Sequence, residues 1–207
     1  MQDFSPNPLL RHAGTARRLA RPVHSAGLRF LHLQSFPKAA MPSKSEIIAS
    51  LAKEVRITSH IAARLRPQDL AFRFTPGQRS TQELLEYIAA HTVSQVSFLL
   101  TGSRAGGEQQ RAAVKGLALA DVAATLAHQQ QQVEQLLAPL SEEQFQALRV
   151  KNGQGIEVSL VEALFEGIVK QAVGYKTQLF LQAKAAGVTD LATPDLWRGE
   201  AAKKQVG

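Results

Sequence analysis

Residues 80–102 read STQELLEYIAAHTVSQVSFLLTG. Ser80 and Glu83 have capping-box spacing, in which hydroxyl and carboxylate each satisfy a backbone N–H left free at a helix start. Leu84, Leu85, Ile88, Val96 and Leu99 then recur with helical period, and Gly102 is the stop. The same device recurs on either side. Ser43/Glu46 opens a run through Ile47, Ile48, Leu51, Val55, Ile61 and Leu65 that Pro67 ends. Ser159/Glu162 opens the longest helix, with a stripe of Leu164, Ile168, Ala172, Leu179 and Ala183, and Gly187 where a left-handed C-terminal residue belongs. A less sharply capped helix runs from about Leu119 to Ala138 on Val122, Leu126, Val133, Leu136 and Leu137, closed by Pro139. Ser141/Gln144 starts a short turn, Lys151–Gly155 reads as a turn, and Gly102–Gly107 as a flexible interhelical loop. The one strand-like run is Leu70–Phe74. Four amphipathic helices with short and medium connections define an all-α four-helix bundle over residues 43–190, followed by a tail over 191–207.

Composition narrows the function. The 207 residues carry 24 Lys+Arg against 17 Asp+Glu and no cysteine, which excludes a disulfide scaffold, thiolate metal sites and a cysteine nucleophile. Residues 1–40 hold six of the bases against one acid, Asp3, so the body is nearly neutral and offers no basic face for nucleic acid. No apolar run approaches the roughly 20 residues needed to cross a bilayer. Residues 1–42 read as a disordered basic extension, or as the product of an upstream start codon with Met41 as the first residue. Their Arg-rich, acid-poor character also matches a mitochondrial transit peptide. A cytoplasmic protein is the expectation, with mitochondrial targeting the alternative.

At about 100° per residue, Gln171 and Tyr175 fall near the middle of the last helix's apolar stripe, with Gln178 and Gln182 alongside. Tyr87 and His91 lie one turn apart on a flank of the second helix. Buried amides and phenols need partners, so these residues form either a polar core network or a pocket. His60, His91 and His128, the three histidines of the body, could build a displaced metal site, although helical arithmetic turns His128 toward solvent. Gln129–Gln132 form a polar helix run. Gly167 and Gly174 read as positions of close helix packing, and Trp197 as an anchor of the tail on the bundle or on a second subunit.

The phrase from Arg79-Ser80 through Glu83-Leu84-Leu85 to Tyr87 resembles the second-helix signature W-S-x-x-E-L-L-x-H of DinB/YfiT-like four-helix proteins, with Thr75-Pro76-Gly77 as the lead-in. Tyr175-Lys176-Thr177-Gln178-Leu179 through Ala186-Gly187 is similar to the family's H-x-G-Q-L … L-G ending. The resemblance covers about residues 44–187 and implies the DinB-like bundle. It also implies a divalent metal held by three histidines, at positions occupied here by Tyr87, Gln171 and Tyr175. Neutral amide and phenol oxygens are poorer ligands than imidazole, since a phenol ionises only near pH 10. The expectation is a bundle that has lost the metal site, with no cofactor unless a divalent metal is bound elsewhere. Tyr87, Gln171 and Tyr175 then line a pocket with His91 and Gln178 as neighbours. Such a protein would bind a small molecule or a partner and self-associate, the resemblance implying a homodimer. The alternative is a metal-dependent or His91-based hydrolase or thiol transferase.

Overall fold

The structure, a computed structural model, describes residues 41–201. The helix starts lie where the caps place them. Helix α1 (Lys44–Ala62) follows Ser43, and α2 (Thr81–Thr101) follows Ser80, with both halves of the capping box formed at each. Gly102 ends α2 at φ +71°. After α3 (Ala105–Ala113), a 3₁₀ turn at Leu119–Asp121 leads into α4 (Val122–Leu137). Ser141 and Gln144 box the short α5 (Glu142–Ala147).

The chain then forms a hairpin of β1 (Arg149–Lys151) and β2 (Glu157–Ser159), antiparallel with Val150 opposite Val158. Helix α6 (Leu160–Leu164), a π turn (Phe165–Val169) and α7 (Lys170–Ala185) follow without a break, and Gly187 lies just beyond at φ +106°. Last comes α8 (Thr193–Arg198). Helices α1 and α2 each pack against both α4 and α7, so α1 and α2 are diagonal partners in an all-α bundle, and α3 lies along α2.

Three local expectations are corrected. The Gly102–Gly107 segment is a loop only in part, because α3 begins at Ala105. Its glycine serves proximity: a Cβ on Gly107 would lie 3.3 Å from Ser94 Cβ of α2. Leu70–Phe74 forms no strand, since Pro67 sets the backbone for a 3₁₀ turn over Pro67–Ala71. The strands lie at 149–151 and 157–159, each too short to display alternation. Gly167 and Gly174 mediate no close packing, for a Cβ at either would meet nothing within 4 Å.

The apolar core has two halves. One gathers Ile57, Ile61, Leu84, Leu85, Leu126, Leu179 and Ala183; the other gathers Leu51, Val93, Val96, Val133, Leu137, Leu164 and Ile168. Each long helix changes from one half to the other across buried polar residues: Glu54 on α1, His91 on α2, Gln129 and Gln130 on α4, Lys176 on α7. Lys176 is 1% exposed, and its Nζ lies 2.6 Å from Glu54 Oε2. The Trp197 ring centroid of α8 is 5.0 Å from the same ammonium. The wide apolar stripes on either side bury the bundle, and this polar waist sets its midpoint.

Helix α8 occupies the segment read as a tail and is fastened to α1. Fully buried Asp195 accepts from Ala192 N–H at 2.8 Å and pairs with His60 Nε2 at 2.7 Å. Burial alone would raise its pKa, but the hydrogen bonds from His60 and Ala192 and the charges of His60 and Arg64 together hold it below the usual carboxylate range.

Removing one member of a buried ion pair strands the other. Lys176→Met should therefore lower the unfolding free energy by about 3–5 kcal/mol, whereas Lys176→Met with Glu54→Leu should recover most of that loss. Urea unfolding of native, single and double variants measures both. Equal stability of native and single variant would contradict the ion-pair assignment.

Candidate functional site

Next to the ion pair, α2 and α7 bring together the side chains singled out from sequence. Tyr87 and His91 project from one face of α2, and their rings stack at 4.8 Å with an interplanar angle of 24°. Tyr175 of α7 meets both edge-on, at 4.8 Å from Tyr87 and 5.6 Å from His91. The Tyr175 hydroxyl donates to the Tyr87 hydroxyl at 3.3 Å. His91 Nε2 is hydrogen-bonded to Gln171 Oε1, which makes Nε2 the protonated nitrogen of the neutral ring. Arg79, which stands where the family's tryptophan is expected, lays its guanidinium 4.0 Å from the centroid of the Tyr87 ring.

Electrostatics follow from burial. Burial, with the Tyr175 hydrogen bond added, pushes the Tyr87 phenol up to about 12. Burial also pushes His91 below the usual histidine value; the Gln171 contact opposes this and the Arg79 charge reinforces it. Both rings are therefore neutral at pH 7. This donor set does not fit a divalent transition metal: one phenol keeps its proton far above neutrality, and the amide oxygen already accepts from His91. Among the described residues no three His, Asp or Glu side chains converge. His60 is engaged with Asp195, and His128 is exposed, so the displaced three-histidine site does not assemble.

Of the predicted pocket residues, Tyr87, His91, Gln171 and Tyr175 meet, while Gln178 is half-buried and takes no hydrogen bond from them. The cluster is largely filled by its own rings. Its open side is at Gln171, which borders a groove of about 310 Å³ between α2, the π turn and the hairpin turn, walled by Gln95, Asn152, Glu162 and Glu166. Sequence reasoning missed Glu54, Gln130 and Lys176. Their signal was position, since each falls on its helix's apolar stripe: Glu54 three after Leu51, Gln130 four after Leu126, Lys176 four after Ala172.

The fold these residues share is that of the DinB-like proteins. The chain is similar to the crystal structure of a DinB-like protein from Bacillus subtilis, YjoA, with a TM-score of 0.54 and 16% sequence identity, over 70% of this chain and 94% of that one. At that identity the likeness shows the fold. No protein-family model matches the chain, and no curated protein matches it. Among the described residues no helix is long and apolar enough to cross a membrane.

A histidine whose pKa is lowered by folding takes up its proton more readily in the unfolded chain. Its stabilising contribution is complete above the unfolded value of about 6.5 and is lost as pH falls below it toward the folded value. Native protein should lose stability between pH 7 and pH 5, and His91→Gln should flatten that slope. Urea midpoints at the two pH values measure it; an identical slope in the variant would contradict the buried neutral imidazole.

Proposed function

We propose that the protein is a DinB-like bundle without the inherited metal site, acting by binding a small molecule or a partner and by self-association as a homodimer. The observation that supports this reading is the chemistry at the three corresponding positions. Tyr87, Gln171 and Tyr175 carry no imidazole, and each makes a hydrogen bond to another member of the cluster or to His91. A metal would have to break those bonds and ionise a phenol pushed up to about 12. The groove beside Gln171 is the seat for a ligand in this reading, because it is large enough for a small molecule and its walls combine amides and carboxylates with the apolar side chains of Leu99, Val158 and Ile168. A cytoplasmic location belongs to the same proposal, against mitochondrial import through residues 1–40.

A second reading keeps catalysis, as a His91-based hydrolase or thiol transferase. It draws on the imidazole being held neutral, the form a general base requires. Against it, Nε2 is committed to Gln171. Turnover in a small-molecule screen that is unchanged in His91→Ala would remove it.

Elemental analysis of the tag-free full chain, paired with solution mass, tests the first reading. The expected result is under about a tenth of an equivalent of any transition metal, with a mass twice the 22.5 kDa of the chain. About one tightly held equivalent per chain would overturn the metal-free reading, and a monomeric mass would overturn the homodimer.

A further inference from the structure

Strand β1 pairs with β2 on one side only. Leu160 N–H donates to the Leu148 carbonyl and Asn152 N–H to the Ile156 carbonyl. In an antiparallel ladder the hydrogen-bonded pairs alternate, so positions 148, 150 and 152 are the ones bonded across the hairpin. The N–H and C=O of Arg149 and Lys151 therefore point to the opposite edge. Among the described residues none of these four groups meets a hydrogen-bond partner.

Beside that edge lies a groove of about 490 Å³, within the roughly 300–1,000 Å³ of ordinary ligand sites. One wall is β1 with the turn after it, and no residue of β2 takes part. The other is the end of α2 with Gly102 and Arg104. Phe98, Leu99 and Val150 line it with apolar surface; Arg104, Arg149 and Lys151 are its charged residues, and no carboxylate lines it. Arg149 reaches Glu157, with Nε 3.5 Å from Oε1 and Nη2 donating to the backbone carbonyl at 3.2 Å. Lys151 and Arg104 pair with no acid among the described residues. The Arg104 guanidinium lies 4.8 Å from the centroid of the Phe98 ring.

An open strand edge suits an extended chain, whose own backbone offers donors and acceptors at alternate residues. Charge selects among such chains. A second copy of β1 laid antiparallel about Val150 would set arginine against lysine twice, and like charges directly opposite are repulsive. The bases guard the edge against self-pairing and complement an acidic segment. Residues that exchange hydrogen bonds with Arg149 and Lys151 carry their side chains on the face of those bases. The residue between them faces the side of Val150, which packs into the core.

We propose that the outer edge of β1 is a docking site for an extended acidic segment of a partner protein, of pattern acid–apolar–acid, which adds to the hairpin as a third strand. The two acids face Arg149 and Lys151, and the apolar residue lies toward Phe98 and Leu99. The site depends neither on the metal-free cluster, nor on a ligand beside Gln171, nor on dimerisation.

The probe is the peptide Ser-Glu-Val-Glu-Val-Glu-Ser, capped at both ends and titrated into the full chain. Saturable binding with a dissociation constant under about 1 mM is expected. Amide exchange at Arg149 and Lys151 should slow on binding, and exchange at Val150 should not change. N-methylation of the Glu residues removes the N–H groups that face β1 and should abolish binding. N-methylation of the Val residues, whose N–H groups face away, should preserve it. Lys151→Glu, at an exposed position, should weaken binding by at least about tenfold. Absence of binding, equal affinity of the two methylated peptides, unchanged affinity in the folded variant, or unslowed exchange at Arg149 and Lys151 would each overturn the proposal. Slow exchange at both positions without peptide would show the edge already taken, by a second copy or by this chain, and would overturn it as well. If the variant does not fold, the methylated peptides decide on native protein.

Discussion

A lysine ammonium taken out of water must meet an anion, and Lys176 meets Glu54 at 2.6 Å. That one requirement fixes much of the bundle. The apolar stripes of α1 and α7 would tolerate several registers, since leucine packs against isoleucine one turn up or down at little penalty. A slip of one turn, about 5.4 Å, would bring Ala172 or Phe180 opposite Glu54 and carry Lys176 into an apolar half of the core. Breaking a buried pair in this way costs about 3–5 kcal/mol, comparable with a large share of a domain's net stability. The ion pair therefore acts as a register pin between α1 and α7.

The remaining waist residues follow from the same need. The polar groups that share the level of the charge pair each need a partner of their own. Gln129 donates to the Ile88 carbonyl at 2.8 Å, and Thr58 to the Glu54 carbonyl at 2.8 Å, each returning a bond to the backbone. On the α2–α7 side the rings of Tyr87, His91 and Tyr175 close over one another, so apolar faces meet while hydroxyls and imidazole nitrogen find partners. A waist of self-satisfied amides and phenols is one solution to the problem of filling the centre of a bundle with polar groups.

How much of this was legible varies with the strength of the local signal. Ser43, Ser80, Ser141 and Ser159 each cap the helix that their spacing announces, because capping is decided within four residues. The meeting of Tyr87, His91, Gln171 and Tyr175 was also legible, through helical phase and the family signature. The hairpin was not: strands of three residues show no period, and their pairing depends on Asn152 Oδ1 accepting from the N–H of Gln154 and Ile156. Glu54, Gln130 and Lys176 were missed for a different reason. A charged or amide residue on an apolar stripe reads as a gap in the stripe until its partner on another helix is known, and that partner is 122 positions away for Glu54 and Lys176. Phase gave their positions; only tertiary structure gave their meaning.

Helix α8 completes the waist, because the ion pair needs a roof as well as a register. Lys176 Nζ faces the π surface of Trp197, an apolar cover that still attracts a cation. The cover is held in place by polar contacts that do not involve the waist. Arg56 donates to the Arg198 carbonyl at 2.6 Å, His60 grips Asp195 at 2.7 Å, and Leu196 is buried in the core between them. Gly199 permits the close approach: at φ +62° it lies against α1, where a Cβ would come within 3.0 Å of Arg56 Nη1 and 3.3 Å of Ile57 Cα. By excluding water above the ammonium, α8 lowers the local dielectric and strengthens the attraction between Lys176 and Glu54, at the price of deeper desolvation. The last helix and the central ion pair thus depend on each other. The pair gives Trp197 a cation to cover, and the fastening of α8 to α1 determines how dry that cation is.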